Sequence, residues 1–202
     1  MRSAVRYFKK GIRALGVAEC FRRGLSRHSV LAGVVVRADM IVDGFSLATA
    51  TVGGLDATEA VLRLYERLGR KDVNVLMLNG CVISWYNVID LHEVAERAGR
   101  PVICVTYEPS PGLEKYFREY FPEDWRERLA IYERNGPRTP VVLKTGHRIF
   151  VRAIGLEDEE AVHVLNRFTL HGSVPEPLRL ARLLARAALA SAGELAGAAL
   201  NP

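Results

Sequence analysis

Four acids stand where elements begin or end. Glu19 closes the first apolar run, Asp56 opens the first helix, Asp90 lies within the second, and Glu176 begins the last between Pro175 and Pro177. Carboxylates drawn from distant segments to one place can hold a hard divalent cation through oxygen. Kept apart, the same residues have plainer work. Asp56 is then a helix N-cap, with Glu59 three residues on as its capping-box partner. Glu176 is a first-turn acid that favours the helix dipole, Glu19 an exposed loop acid and Asp90 a helix-surface acid. Arg179 lies one turn after Glu176 and shares its face, where it could hold that acid or a phosphate.

Other chemistries have less support. His28, His92, His147, His163 and His171 are scattered without zinc-hydrolase spacing. Cys20, Cys81 and Cys104 show no C-x-x-C pattern, so neither a disulfide framework nor a zinc site is expected. Cys20 adjoins Glu19, Arg22 and Arg23, but no base is placed beside it. Gly53-Gly54 precedes a helix yet lacks the spacing of a phosphate-binding loop.

Composition narrows the class. Lys and Arg number 28 against 23 Asp and Glu, for a net charge of +5, and almost all the basic residues are Arg. Guanidinium presents a planar fork of donors to phosphate, so the balance is compatible with a polyanionic partner, or with an ion-paired surface. No segment reads as a membrane span or a secretory leader, which points to the cytoplasm.

The elements that must position these residues follow from periodicity. Ile12 to Ala18 predicts a buried strand, and Val30 to Val36 with Met40 to Val52 a hairpin. Asp56 to Leu68 predicts a helix closed by Gly69, Val73 to Leu78 a strand, Tyr86 to Ala98 a helix closed by Gly99, and Pro101 to Tyr107 a strand. Helices are expected over Leu113 to Tyr120 and Pro122 to Glu133, a small hairpin over Val141 to Lys144 and Arg148 to Val151 turning at Gly146, and helices over Leu156 to Phe168 and onward from Pro175. No linker or repeat interrupts the 202 residues, so one domain is expected over 1–202. The order β-β-β-α-β-α-β followed by helices is the wiring of a ribonuclease-H-like α/β fold. That fold is a mixed sheet, with an antiparallel three-strand meander plus parallel strands, flanked by helices.

Motifs sharpen that likeness. Gly16-Val17-Ala18-Glu19, Thr51 through Thr58 (Thr-Val-Gly-Gly-Leu-Asp-Ala-Thr), Met77-Leu78-Asn79-Gly80, Tyr86 through Asp90 and Pro175 through Arg179 resemble the archaeal DUF99, or UPF0215, family. That family looks like a relative of endonuclease V. The resemblance implies an endonuclease dU activity: a cytoplasmic DNA-repair nuclease that uses Mg²⁺ or Mn²⁺ to activate water and incises DNA at deoxyuridine.

Carried onto this chain, the resemblance implies catalytic acids at Glu19, Asp56, Asp90 and Glu176, with Glu59 in reserve, and metal ligands at Glu19, Asp56, Asn79 and Glu176. Two positions depart from endonuclease V, which has Asp where this chain has Ala18 and an Asp-Gly pair where it has Asn79-Gly80. Glu19 can stand in for the former only if its strand has bent or ended there, because neighbours on a strand face opposite sides. Substrate contacts are expected from Asn79, Gly80, Trp85, Tyr86, Asn87 and Arg179. The aromatics would stack on a displaced base and Asn87 would read a pyrimidine edge. The alternative, favoured by Ala18 and Asn79, is a nucleic-acid-binding protein of the same fold without catalysis.

Overall fold

The computed structural model describes residues 11–199, with side chains through residue 192. Residues 1–10 and 200–202 lie outside the described residues. Strands β1 (Arg13–Cys20), β2 (His28–Arg37) and β3 (Val42–Thr51) form the expected antiparallel meander. Helix α1 (Ala57–Leu68) leads to β4 (Val75–Asn79), a short hairpin β5 (Val82–Ile83) and β6 (Asn87–Val88), helix α2 (Leu91–Ala98) and β7 (Val102–Thr106). Helices α3 (Glu114–Tyr120) and α4 (Trp125–Arg134), strands β8 (Thr139–Val142) and β9 (Arg148–Ile154), and helices α5 (Asp158–Phe168) and α6 (Glu176–Ala199) complete the order.

One sheet of seven strands runs β3-β2-β1-β4-β7-β9-β8, with β1, β4 and β7 parallel and the remaining pairs antiparallel. Its central strands are covered on both faces, which is why they read as unbroken apolar runs. Alternation sorts the side chains. Leu15, Val17, Leu76 and Leu78 pack beneath α1 and α2, whereas Ala14, Ala18, Met77 and Ile103 pack beneath α5 and α6.

Two expectations are corrected. The second helix starts at Leu91 rather than near Tyr86, because Ser84, Trp85 and Tyr86 take left-handed backbone angles and Asp90 caps the helix by accepting from His92 N and Glu93 N. Asp56 holds the N-cap position of α1 but makes no side-chain cap there; its Glu59 partner is drawn to Arg97 on α2 instead. The small hairpin near Gly146 forms as expected, and because β9 also pairs with β7, setting Arg152 opposite Cys104, it extends the main sheet.

Candidate functional site

Glycine decides where α6 begins. A Cβ at Gly16 would stand 2.3 Å from the carbonyl carbon and oxygen of Pro177, so only a residue without one lets the helix start lie directly on β1. That contact lays the start of α6 on the face of β1 that carries Ala18. Glu176 is 5% exposed. Its Oε2 accepts from Arg179 Nε at 2.9 Å and Nη2 at 2.7 Å, while its Oε1 is buried with no hydrogen-bond partner. Asn79, at the end of the adjacent β4, also buries an Oδ1 with no partner.

Glu19 lies on the other side of β1. The strand neither bends nor ends at Glu19, as substitution for an Asp at position 18 would require: pairing runs on to Glu19 with Leu31 and Cys20 with Val30. Glu19 therefore follows Val17 toward the α1 face. Its Oε1 accepts from Ser84 N at 3.3 Å, and its Oε2 is buried and partnerless. Burial pushes its carboxyl above the usual carboxylate range, against the pull of the Ser84 amide. Glu19, Asn79 and Gly80 line one small cavity of about 10 Å³, room for a single water. Glu19 and Asn79, each with a partnerless oxygen, thus line one cavity at the carboxyl ends of β1 and β4, whereas Glu176 does not line it.

Asp56 and Asp90 are differently employed. Asp56 closes the loop after β3, accepting from Thr51 N (3.0 Å), Thr51 Oγ1 (3.0 Å) and Asn87 Nδ2 (2.7 Å). Burial alone would push its carboxyl up, but those hydrogen bonds outweigh it and hold the group below the usual range. A Cβ on Gly54 would come within 2.7 Å of Thr51 Cβ and 3.0 Å of Asp56 Oδ1, which explains the glycine. Asn87 is fully buried: its Oδ1 accepts from Ala57 N, and its Nδ2 also donates to Thr51 O. Its amide edge faces protein rather than a base, contrary to the reading above. Asp90 caps α2 and pairs with Arg134. Among the described residues no three His, Cys, Asp or Glu side chains stand close enough to hold a metal ion, so the expected convergence of four carboxylates is not met.

The loop after Gly80 carries the rim. Ser84, Trp85 and Tyr86 have φ of 46°, 61° and 64°, three successive side-chain-bearing residues in a region that costs each roughly 1–2 kcal/mol. The surroundings hold them there. Ser84 Oγ meets Ser29 Oγ at 2.5 Å, Gly53 N donates to Ser84 O, and Arg128 donates to the carbonyls of Gly53, Gly54 and Tyr86. Tyr86 consequently stacks on Tyr116 and Tyr120, with centroids at 6.0 and 5.7 Å, Trp85 packs edgewise on Tyr86, and Arg23 lies over the Trp85 ring. Sequence reasoning found Trp85 and Tyr86 but missed Tyr116 and Tyr120, although their i, i+4 spacing on one helix was a usable signal. It also missed Arg138, Arg152 and Arg182, which line a cleft beside Asn79 and have no motif to announce them.

A family profile described as endonuclease dU matches residues 10–189. The chain belongs to the endonuclease dU family. Relatives of this chain include a UPF0215 protein of Pyrobaculum calidifontis, 41% identical over 85% of this chain and 93% of the relative. A UPF0215 protein of Thermococcus gammatolerans is 32% identical over 80% and 82%. A solved structure of a protein of unknown function from Archaeoglobus fulgidus superposes with a TM-score of 0.75 at 26% identity, over 87% of this chain and 97% of that one. Endonuclease V from Ciona intestinalis, crystallised with a DNA containing an inosine followed by a ribo-adenosine, superposes at 0.62 and 14% identity, over 90% and 87%, and so shares the fold. The ribonuclease-H-like architecture of this family member is thereby shown. No helix among the described residues is long and apolar enough to cross a membrane.

Proposed function

We propose that this chain is an endonuclease that incises DNA at deoxyuridine and takes Mg²⁺ or Mn²⁺ at Glu19, Asn79 and Glu176. One observation carries the reading: in a chain of this family, the carboxylates of Glu19 and Glu176 and the amide of Asn79 each bury an oxygen that no protein donor satisfies. Buried polar atoms normally find partners, and hard oxygen donors suit a small divalent cation; the residues of two of these, Glu19 and Asn79, line a water-sized space. Bound there, the cation would lower the pKa of water and neutralise charge on the phosphate.

The chain's own residues divide the remaining work. Arg179 fixes Glu176 by two hydrogen bonds to Oε2 and leaves Oε1 without a partner. Asp56, with Thr51 and Asn87, holds the loop that joins β3 to α1, and Asp90 with Arg134 anchors α2; both act as positioning residues. Trp85, Tyr86, Tyr116 and Tyr120 offer ring faces on which a displaced base would stack.

The test is strand nicking of a duplex with one deoxyuridine, against undamaged and inosine-containing duplexes, with Mg²⁺ or Mn²⁺ supplied. Nicking at deoxyuridine that is lost in Glu176→Gln while the thermal transition persists supports the reading. Unchanged nicking in Glu176→Gln removes this site from the chemistry. Ala18 and Asn79 favour one rival, a protein that binds nucleic acid without cutting it. It predicts salt-sensitive DNA binding with no nicking under any metal.

A further inference from the structure

Beside the candidate site, the ends of β4 and β7 open on a cleft of about 350 Å³ whose walls include Asn79, Tyr107, Arg138, Arg152 and Arg182. Asn79 and Gly80 line both this cleft and the Glu19 cavity, so the two spaces share a wall. Arg152, on β9, is only 6% exposed. Its Nε donates to Gly136 O at 2.7 Å, its Nη1 faces Cys81 Sγ at 3.5 Å, and its guanidinium lies over Tyr132. Arg138 is fixed by Thr106 Oγ1, Glu108 O and Ser110 O, and Arg182 lies over the Tyr107 ring.

None of these three cations has a carboxylate within ion-pair distance among the described residues. Arg13, Arg70, Arg97, Arg128, Arg134 and Arg179 all have one. A guanidinium taken out of water without a countercharge is costly. Arg152 bears that cost, Arg138 and Arg182 are half-buried, and all three, held by neutral carbonyls, a hydroxyl, a thiol and ring faces, leave their charge available to something that enters. Tyr107 adds a donor: its hydroxyl is buried and partnerless, and burial pushes its pKa up to about 12, so it keeps its proton at neutral pH. Planar forks around a tyrosine hydroxyl match the oxygens of a phosphate group. The volume leaves room for an attached sugar.

We infer that this cleft binds a phosphate of the nucleic acid strand adjacent to the one that is cut. The strand assignment rests on the nuclease reading; the affinity for phosphate does not. Inorganic phosphate at constant ionic strength should therefore raise the wild-type melting temperature saturably, and Arg138→Ala/Arg182→Ala should weaken that protection at least tenfold. Arg152 is kept in this variant because it is buried. The same double variant should bind DNA with a salt slope shallower by about 0.9, the loss of one phosphate contact. Phosphate protection that is absent in the wild type, or equal in the variant, overturns the site. Protection lost in the variant with an unchanged salt slope assigns the cleft to free phosphate and overturns the strand assignment. Nicking is scored separately, so a chain that binds phosphate through these arginines but never cuts refutes the nuclease reading alone.

Discussion

The two ends of β1 and β4 are built on opposite principles. At the amino end, Arg13 and Arg70 share Asp43 at 2.5 and 3.0 Å, and Arg70 also holds Asp72 at 2.7 Å, so each charge answers another. At the carboxyl end, Glu19, Asn79, Glu176 and Tyr107 bury atoms with no partner, and Arg138, Arg152 and Arg182 have no acid. One fold satisfies its charges where they only brace the sheet and leaves them unsatisfied where strands end. Sites that bind and react give up stability in this way, and the contrast localises function more sharply than any single residue does.

The largest effect that would sharpen the comparison comes from a buried, fully paired charge at the carboxyl end. Arg128 is 1% exposed, bonded to Asp124 and to three carbonyls around the strained rim loop. Arg128→Met should cost roughly 3–5 kcal/mol in chemical denaturation. A loss below 1 kcal/mol would mean the rim is not braced as described. Next, Glu176→Gln should lower nicking by at least about 100-fold, since even outer partners of a metal site cost that much, while its melting temperature holds.

Glu19→Gln should act in two directions. Because burial raises the folded-state pKa of Glu19 above its ordinary value of 4.5, the stability it contributes is full below that value and is lost as pH rises through the folded pKa. The Gln variant should therefore melt higher than wild type at pH 7, with the gap closing toward pH 4.5, while nicking is lost. A variant that melts lower at pH 7 would show that the carboxylate is stabilising and the contrast misdrawn.

The smallest effect belongs to the amino end. Hydrogen bonds from Arg13 and Arg70 hold Asp43 down at about 2. Its stabilisation is present above the unfolded value near 3.8 and disappears as pH falls through about 2. Asp43→Asn should flatten acid unfolding in that window and leave nicking at pH 7 within about twofold, a distant site adding independently.

The sheet was legible because its strands carry their own signal. Val34 to Val36 or Leu76 to Leu78 read as β from branched and continuous apolar residues alone, and the order of elements then restricted the topology. The rim was not legible. Nothing local in Ser84-Trp85-Tyr86 announces left-handed backbone; Glu19, Ser29 and Arg128, from distant segments, impose it. The site was half legible. Glu19, Asn79 and Glu176 were found as polar residues at element ends, but the pairing of Asp90 with Arg134 and of Asp56 with Asn87 depends on contacts 44 and 31 residues apart, which no spacing rule reaches.

The central claim is that the partnerless oxygens of Glu19, Asn79 and Glu176 serve a cation. Calorimetric titration of Mn²⁺ into wild type and into Glu19→Gln/Glu176→Gln tests it most directly. One saturable site in the wild type that vanishes in the folded double variant is the predicted result. Equal binding by both proteins, or none by the wild type with or without DNA, would contradict it.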